Sequence, residues 1–476
     1  MKRVVAPALG PAVTAALVLL AACAPTTKYV PPTVDVSPAF RENADWKPAQ
    51  PSDAVLRGNW WELFNDPDLN ALEQQVDVSN QTLRAATARF AQARALVRGS
   101  RANLYPAVDF APSVSRGQPS GNRPASTVHV ATNDFILPVD ATWEADVWGR
   151  LHYAVSASQA AAQASAADLE TARLSVHAEL AFDYFTLRGV DRDRQLLDAA
   201  VESFEKALEL TRNRFQGGIA SLADVAQAET VLETTRAQAV DVAVARASFE
   251  HAIAVLIGRP ASALSIDVKP MSDAPPQVPA GMPSELLERR PDIAAAERRV
   301  AAANAQLGVA TAAFYPRLIL SGAAGFESSP LGSLLSGTSG FWTIGSALLV
   351  NVFDAGRRHA VADQARAEQD EATAVYRQAV LVAFREVEDQ LATLRILDEE
   401  AAIQRRAVDA AERSLMQATN RYRGGLANYL EVTSAQNAAL ANQRTAAGIL
   451  TRRMNASVLL MKGLGGGWQV SNLPAN

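Results

Sequence analysis

Asn213-Arg214-Phe215-Gln216-Gly217-Gly218 recurs as Asn420-Arg421-Tyr422-Arg423-Gly424-Gly425, 207 residues further along a chain of 476. A self-match of this kind marks one structural unit written twice. At the same offset Gly149-Arg150-Leu151-His152 matches Gly356-Arg357-Arg358-His359, and Gly258 matches Gly465. Upstream the offset is 210, where Leu104-Tyr105-Pro106 matches Phe314-Tyr315-Pro316. The segment between Tyr-Pro and Gly-Arg is therefore three residues longer in the first copy. A length change belongs in a loop.

Each copy reads as helix, strand, strand, long helix, helix. Asp66 followed by Pro67 is a cap and a first-turn proline, so a helix is expected to open there and run to about Ala102, stopping before Pro106. Ala107–Arg116 and Val130–Asp146 read as strands, with Phe135, Leu137, Val139, Ala141 and Trp143 on one face of the second. Residues 117–128 are rich in Gly, Pro, Ser and Asn and read as a loop. In the second copy Leu318–Phe326 and Phe341–Phe353 are the strands, joined by a loop over Glu327–Gly340.

From Arg150 to Gln216 there is no proline and one glycine, Gly189. As a helix this stretch is a rod about 100 Å long. Its repeat is Arg357 to Arg423. Leu197, Val201, Phe204, Leu208, Thr211 and Phe215 recur at steps of 4 and 3, as do Val408, Ala411, Leu415, Ala418 and Tyr422. That spacing makes a coiled-coil seam. Such long helices are not stable alone and need lateral neighbours.

The strand runs suit a membrane barrel, where a tilted strand of roughly 9–11 residues crosses the apolar band. Open edges are not tolerated in lipid, and four strands per chain cannot close a pore. Copies must therefore combine. Two would enclose a lumen filled by side chains; three would give twelve strands around an aqueous channel. A soluble hairpin capping a helical bundle is the alternative reading of the strands.

The N-terminus agrees with export. Lys2 and Arg3 precede an apolar stretch, Ala12 to Ala22, that is too short to span a bilayer. Leu20-Ala21-Ala22-Cys23 looks like a bacterial lipobox, cut before Cys23, whose thiol then carries lipid. Ala24 fits sorting to the outer membrane. Cleavage would remove Lys2 and Arg3 and take the net charge from -5 to -7. That balance excludes a general affinity for nucleic acid. Cys23 is the only cysteine, so no disulfide forms within the chain, and five histidines without ligand spacing imply no metal or haem cofactor. Catalytic motifs are absent: there is no Gly-x-Ser-x-Gly, no Walker motif and no kinase set. Gly463-Leu464-Gly465-Gly466-Gly467 follows a helix and reads as a flexible exit from it rather than a phosphate loop. His152 and His359 read as packing at a bend.

These motifs together resemble the TolC-like outer membrane factors, in particular the lipoprotein channels of tripartite drug-efflux systems. The resemblance is carried by Trp60-Trp61-Glu62-Leu63-Phe64-Asn65-Asp66 with Leu69 and Leu72, and by Pro283-Ser284-Glu285-Leu286-Leu287-Glu288-Arg289-Arg290-Pro291-Asp292-Ile293 with Ala296-Glu297. Phe314-Tyr315-Pro316 and the paired glycine turns complete it. It implies an α+β homotrimer: a trimeric twelve-stranded β-barrel in outer membrane lipid continuing into a long α-helical barrel across the periplasm. The implied partners are a periplasmic adaptor (membrane fusion) protein and an inner-membrane RND-type pump. The channel itself would perform no chemistry. The expected division is a signal peptide 1–22, an acylated segment 23–65, a first repeat 66–258, a linker 259–283, a second repeat 284–465 and a tail 466–476.

By the same resemblance the turns with Arg214, Gly217, Gly218, Arg421, Gly424 and Gly425 form a periplasmic tip that contacts the adaptor. Asp224 and Glu431 occupy matching positions after the turns. They are either capping-box residues, in Ser221-x-x-Asp224 and Asn428-x-x-Glu431, or an acidic constriction favouring cations. Leu430 is the apolar candidate at that gate. Relatives often carry a second acid where this chain has Ser434, and some an arginine where it has Asn437. Two rival functions stay open at this point: an exit duct for polypeptide secretion, and a lipid-anchored coiled-coil scaffold without a pore. For the anchor, Cys23→Ser is expected to abolish labelling with radioactive palmitate; labelling that persists in the variant would contradict the lipobox reading.

Overall fold

The computed structural model describes residues 29–34, 39–43, 59–120, 122, 130–271, 274–276 and 286–473. The signal segment, Cys23 and Pro283-Ser284-Glu285 lie outside these. The element order is α1 (Pro67–Ser79), α2 (Gln81–Ala102), β1 (Ala107–Phe110), β2 (Ser113–Gly117), β3 (Thr132–Ala145), α3 (Arg150–Gln216) and α4 (Leu222–Leu256). After one helical turn at Leu286–Arg289 come α5 (Pro291–Ala312), β4 (Arg317–Ser328), β5 (Gly340–Leu349), α6 (Arg357–Arg423) and α7 (Tyr429–Gly463). Both long helices have 67 residues and span the stretches free of proline. Among the described residues no helix is long and apolar enough to cross a membrane.

The strands form one antiparallel sheet in the order β1/β2, β3, β4, β5, with β1 and β2 end to end along one edge of β3. The expected strand Ala107–Arg116 is thus broken. Ala111 and Pro112 fall between the Phe110↔Val139 and Ser113↔Ile136 pairs, opposite Leu137 and Pro138. Two prolines there remove two ladder donors. The strand expected to reach Phe353 stops at Leu349, which pairs with Arg317. The next partner would be Pro316, which has no N–H to give.

Partners directly opposite share a face, so the registers sort the sheet into two surfaces. One carries Val108, Phe110, Val114, Phe135, Leu137, Val139, Ala141, Trp143, Leu318, Leu320, Ala324, Phe326, Trp342, Ile344 and Leu348. The other carries Asp109, Ser113, Ser115, Asp134, Asp140, Thr142, Glu144, Ser321, Glu327 and Thr343, interspersed with apolar residues that include Ile136, Ile319, Phe341 and Leu349. Ile344 is 81% exposed and Trp342 77%. A sheet with an apolar face turned outward and a polar face inward is the pattern of a membrane barrel wall.

The helices repeat the order of the strands they feed. α2 packs on α3, α3 on α5, and α5 on α6. Further from the sheet α4 packs on α3, α3 on α7, and α7 on α6. Like the sheet, this helical layer is open, with α6 at one edge and α2 and α4 at the other.

The first helix does not run unbroken from Pro67 to Ala102. Asn80 is extended (ψ 124°), caps α2 by accepting from the Leu83 N–H, and donates to the Leu256 carbonyl at 2.7 Å. The second copy does the same with a different side chain. Arg290 precedes α5 and donates to the Gly463 carbonyl at 3.1 Å, while its guanidinium also holds Asp292 and Glu386. Leu256 and Gly463 are repeat partners, as are Asn80 and Arg290. The Arg290 latch explains what the Arg-Arg-Pro-Asp sequence does. Near it the core is dense: Trp60 and Trp61 are buried, and Trp61 stacks on His177 at 4.4 Å. His177 Nδ1 lies 2.6 Å from Glu73, whose carboxyl is pushed up to about 7 by burial.

Glycines make the latch possible. A Cβ on Gly258 would collide with the Ser79 carbonyl, and one on Gly465 with the Arg289 carbonyl. Both have positive φ, 69° and 89°. Gly463–Gly467 is therefore a packed joint, not a flexible exit: Gly465 abuts Arg289 and Gly466 abuts Leu174 and Trp60. Gly258→Ala and Gly465→Ala are each expected to cost about 1–3 kcal/mol. Gly99→Ala, where a Cβ meets nothing within 4 Å, should gain about 0.5–1 kcal/mol. Thermal midpoints in detergent check this; equal behaviour of Gly99 and Gly258 variants would contradict it.

Candidate functional site

The two glycine turns lie at the end of the helical layer furthest from the sheet. α3 ends when the Ile219 N–H bonds back to the Arg214 carbonyl at 2.8 Å, with Gly218 at φ 71°. α6 ends in the same way, Leu426 N–H to Arg421 carbonyl at 2.8 Å, with Gly425 at φ 76°. Both closures need the left-handed residue that glycine supplies without a Cβ penalty. Gly217, Gly218, Gly424 and Gly425 are all exposed.

Arg214 ties the two turns together. Its Nη1 donates to the Arg423 carbonyl at 3.2 Å, and its guanidinium lies 4.7 Å over the Tyr422 ring. Tyr422 in turn packs edge-on against Tyr429 at 5.4 Å and donates to Thr211 Oγ1 at 3.3 Å. Burial pushes the Tyr429 hydroxyl up. The tip is thus one unit built from both copies. Arg421, the repeat partner of Arg214, sits on the edge helix and does something else: it pairs with Glu431 at 3.2 Å and donates to the Leu426 carbonyl.

The matching carboxylates also differ. Asp224 closes a full capping box: its Oδ2 accepts from Ser221 N–H and Oγ, both at 2.9 Å, and its own N–H bonds to Ser221 Oγ. In the second copy Asn428 caps the Glu431 N–H at 3.1 Å, but the Glu431 side chain turns to Arg421 instead of returning to the cap. Leu430, Glu431, Ser434 and Asn437 are exposed along α7, while Tyr429, Val432, Thr433, Ala435 and Gln436 are buried. Leu430 is 59% exposed. The sequence motif brought out both acids but not the arginine that answers one of them; the longer Glu431 side chain, the Asn428 cap and the place of α6 at the edge all separate the second copy from the first.

The histidines at the strand-to-helix bend have separate partners. His152 Nδ1 lies 2.6 Å from Asp146, and His359 packs edge-on against Phe314 at 5.0 Å. Among the described residues no cluster of His, Cys, Asp and Glu could hold a metal ion.

A family model described as outer membrane efflux protein matches residues 65–259 and 282–466. The chain is 31% identical over 464 residues to the probable efflux pump outer membrane protein TtgC of Pseudomonas putida, covering 96% of this chain and 95% of that one. It is 32% identical over 460 residues to the pyoverdine export outer membrane protein OpmQ of Pseudomonas aeruginosa, covering 95% and 96%. The solved structure of the outer-membrane channel OprN superposes with a TM-score of 0.88 at 31% identity, covering 94% of this chain and all of that one.

The two carboxylates at the third helical position are expected to respond unequally. Asp224→Ala, which removes the N3 half of the capping box and leaves the Ser221 N–H without its acceptor, should cost about 0.5–1 kcal/mol. Glu431→Ala, which removes an exposed ion pair, should cost less than about 0.5 kcal/mol. Thermal melting of both variants measures this, and equal losses would contradict the asymmetry.

Proposed function

The chain belongs to the outer membrane efflux protein family and is an outer-membrane channel for efflux; from that premise we propose that three copies form the passive exit duct of a tripartite pump for small molecules. The supporting observation is the sheet: apolar on one face, polar on the other, and unpaired along both edges, β1/β2 and β5. Backbone groups left open in lipid cost several kcal/mol each, so both edges must be covered by further copies of the chain. Two copies make too narrow a barrel for solutes, and three make twelve strands with room for water.

In this reading the lipid on Cys23 fixes the chain to the outer membrane, and the helices carry the duct into the periplasm. The exposed turns at Gly217-Gly218 and Gly424-Gly425 meet a periplasmic adaptor, which joins them to an inner-membrane pump of the RND type. The pump supplies the energy, and the duct catalyses nothing. Leu430, Glu431 and Ser434, with Asp224 beside the first turn, narrow the inner end. Because Arg421 answers Glu431, the acidic ring there is partly neutralised, while Asp224 is held at its own cap with its charge intact. Small molecules are favoured over polypeptides by the names of the relatives, one a pump component and one an exporter of pyoverdine.

Native mass measurement in detergent is expected to give three chains, and the same species should conduct ions in planar bilayers. A monomer or dimer as the only stable species, or a trimer that does not conduct, would overturn the reading.

A further inference from the structure

One buried polar cluster stands in the first copy and has an apolar counterpart in the second. Glu73 of α1 and His177 of α3 are 0% and 2% exposed, and His177 Nδ1 lies 2.6 Å from Glu73 Oε2. Trp61 stacks on the imidazole with the two planes 18° apart. At the offsets of 207 and 210, His177 falls on Phe384, Asp77 on Leu287 and Glu73 on Pro283. Phe384 and Leu287 pack against the apolar cluster that holds Ile293, Val300 and Tyr376. The second copy thus fills its joint with hydrocarbon. A buried ionisable pair adds little stability over a well-packed apolar one of the same volume. The His–Glu pair calls for a role other than packing.

The cluster is one proton short. With His177 Nδ1–H donating to the Glu73 carboxylate, Nε2 is a bare acceptor. It lies 3.4 Å from Asp77 Oδ1, another acceptor, and makes no hydrogen bond. Glu73 Oε1 is also buried without a hydrogen-bond partner. One added proton answers this in either of two placements. On His177, the new Nε2–H donates to Asp77, and the imidazolium lies between two carboxylates against the face of Trp61. On Glu73, the carboxyl O–H donates to Nδ1, and the imidazole carries its single N–H on Nε2, toward Asp77. Both placements aim an N–H at Asp77, so the pair titrates as a unit.

The remaining charged side chains on the adjoining cavity of about 410 Å³ are Glu170 and Arg173 of α3; among the described residues the Trp60–Trp61 turn and Gly465–Gly467 bring none to it. Arg173 pairs with Asp77 at 3.3 Å and with Glu170 at 3.0 Å, which fixes Asp77 as the acceptor. Asp77 is exposed, so a proton enters from solvent on that side.

We propose that Glu73, His177 and Asp77 form a proton-operated clasp: acidification adds one proton to the cluster and ties the Trp60–Trp61 turn and α1 to α3, and loss of that proton loosens them. Burial pushes the Glu73 carboxyl up from its ordinary 4.5 to about 7. A carboxyl raised by folding stabilises the closed joint at low pH, and that contribution is lost as pH rises through about 7. Gly466 abuts Trp60, so the clasp bears on the glycine joint beyond α7 as well.

Amide exchange of residues 59–79 reads the clasp, in the full-length protein in detergent, with labelling times scaled to the intrinsic rate at each pH. Protection there is expected to fall about tenfold between about pH 6 and pH 8, as a one-proton linkage centred near 7 requires. Residues 286–300, in the copy with Phe384 and Leu287, should show no such fall. Glu73→Gln puts an amide N–H where the protonated carboxyl would donate, so its protection should match the acidic parent at both pH values. Glu73→Leu/His177→Phe, which gives the joint the hydrocarbon of the second copy, should also be flat. A parent profile that does not change over this range, or a fall that persists in either variant, overturns the clasp. A Glu73→Gln protein that does not fold overturns it too, because the amide has the shape and donor of the protonated carboxyl.

Discussion

The backbone at a sheet edge needs a hydrogen-bonding partner, and in hydrocarbon water cannot be that partner. Much of this structure follows from that constraint. The sheet turns an apolar face outward across four strand rows, so it is built to lie in lipid. Yet β1/β2 and β5 each present one unpaired side. The helices inherit the same incompleteness, since each continues the strand it adjoins and the layer stays open at α6 and at α2 and α4. A lone chain is an incomplete wall, open along both cut edges.

What keeps the wall segment stiff is the belt where the two copies lock. Asn80 and Arg290 break two helices at equivalent places and reach to equivalent carbonyls, Leu256 and Gly463. Gly258 and Gly465 let backbone pass against backbone at those joints. At the far end Arg214 couples the two turns through Tyr422 and the Arg423 carbonyl. Duplication gave both copies the same parts, but their positions differ. Arg214 sits inside the layer and binds the other copy, whereas Arg421 sits at the edge and binds Glu431.

The long helices were legible in the sequence, because 67 residues without proline, bounded by repeated glycine motifs, leave little else for the chain to do. The break at Asn80 was not. Asparagine does not forbid a helix, and the one clear signal lay in the other copy, where Pro291 marks a helix start that maps to Gln81. The strand ends were misjudged for a related reason. A strand's length depends on its neighbour, and Pro316 and Pro138 cut ladders whose apolar alternation runs on past them. The glycine run at 463–467 looked loose by composition and is packed, since nothing local shows that Arg289 and Trp60 press on it. At the tip, the carboxylates Asp224 and Glu431 were identifiable from cap spacing, but their unequal partners are set by side-chain length and by tertiary position, which cap spacing does not carry.

If copies close the barrel as proposed, neither β1/β2 nor β5 is an edge in the assembled protein. Amide hydrogen exchange of the protein in lipid nanodiscs tests it most directly. If the account holds, β2 and β5 are protected as strongly as the interior strands β3 and β4, because their outward N–H groups are bonded across a protomer boundary. If alternate amides of β2 and β5 exchange orders of magnitude faster than those of β3 and β4, the edges are open and the closed barrel is wrong.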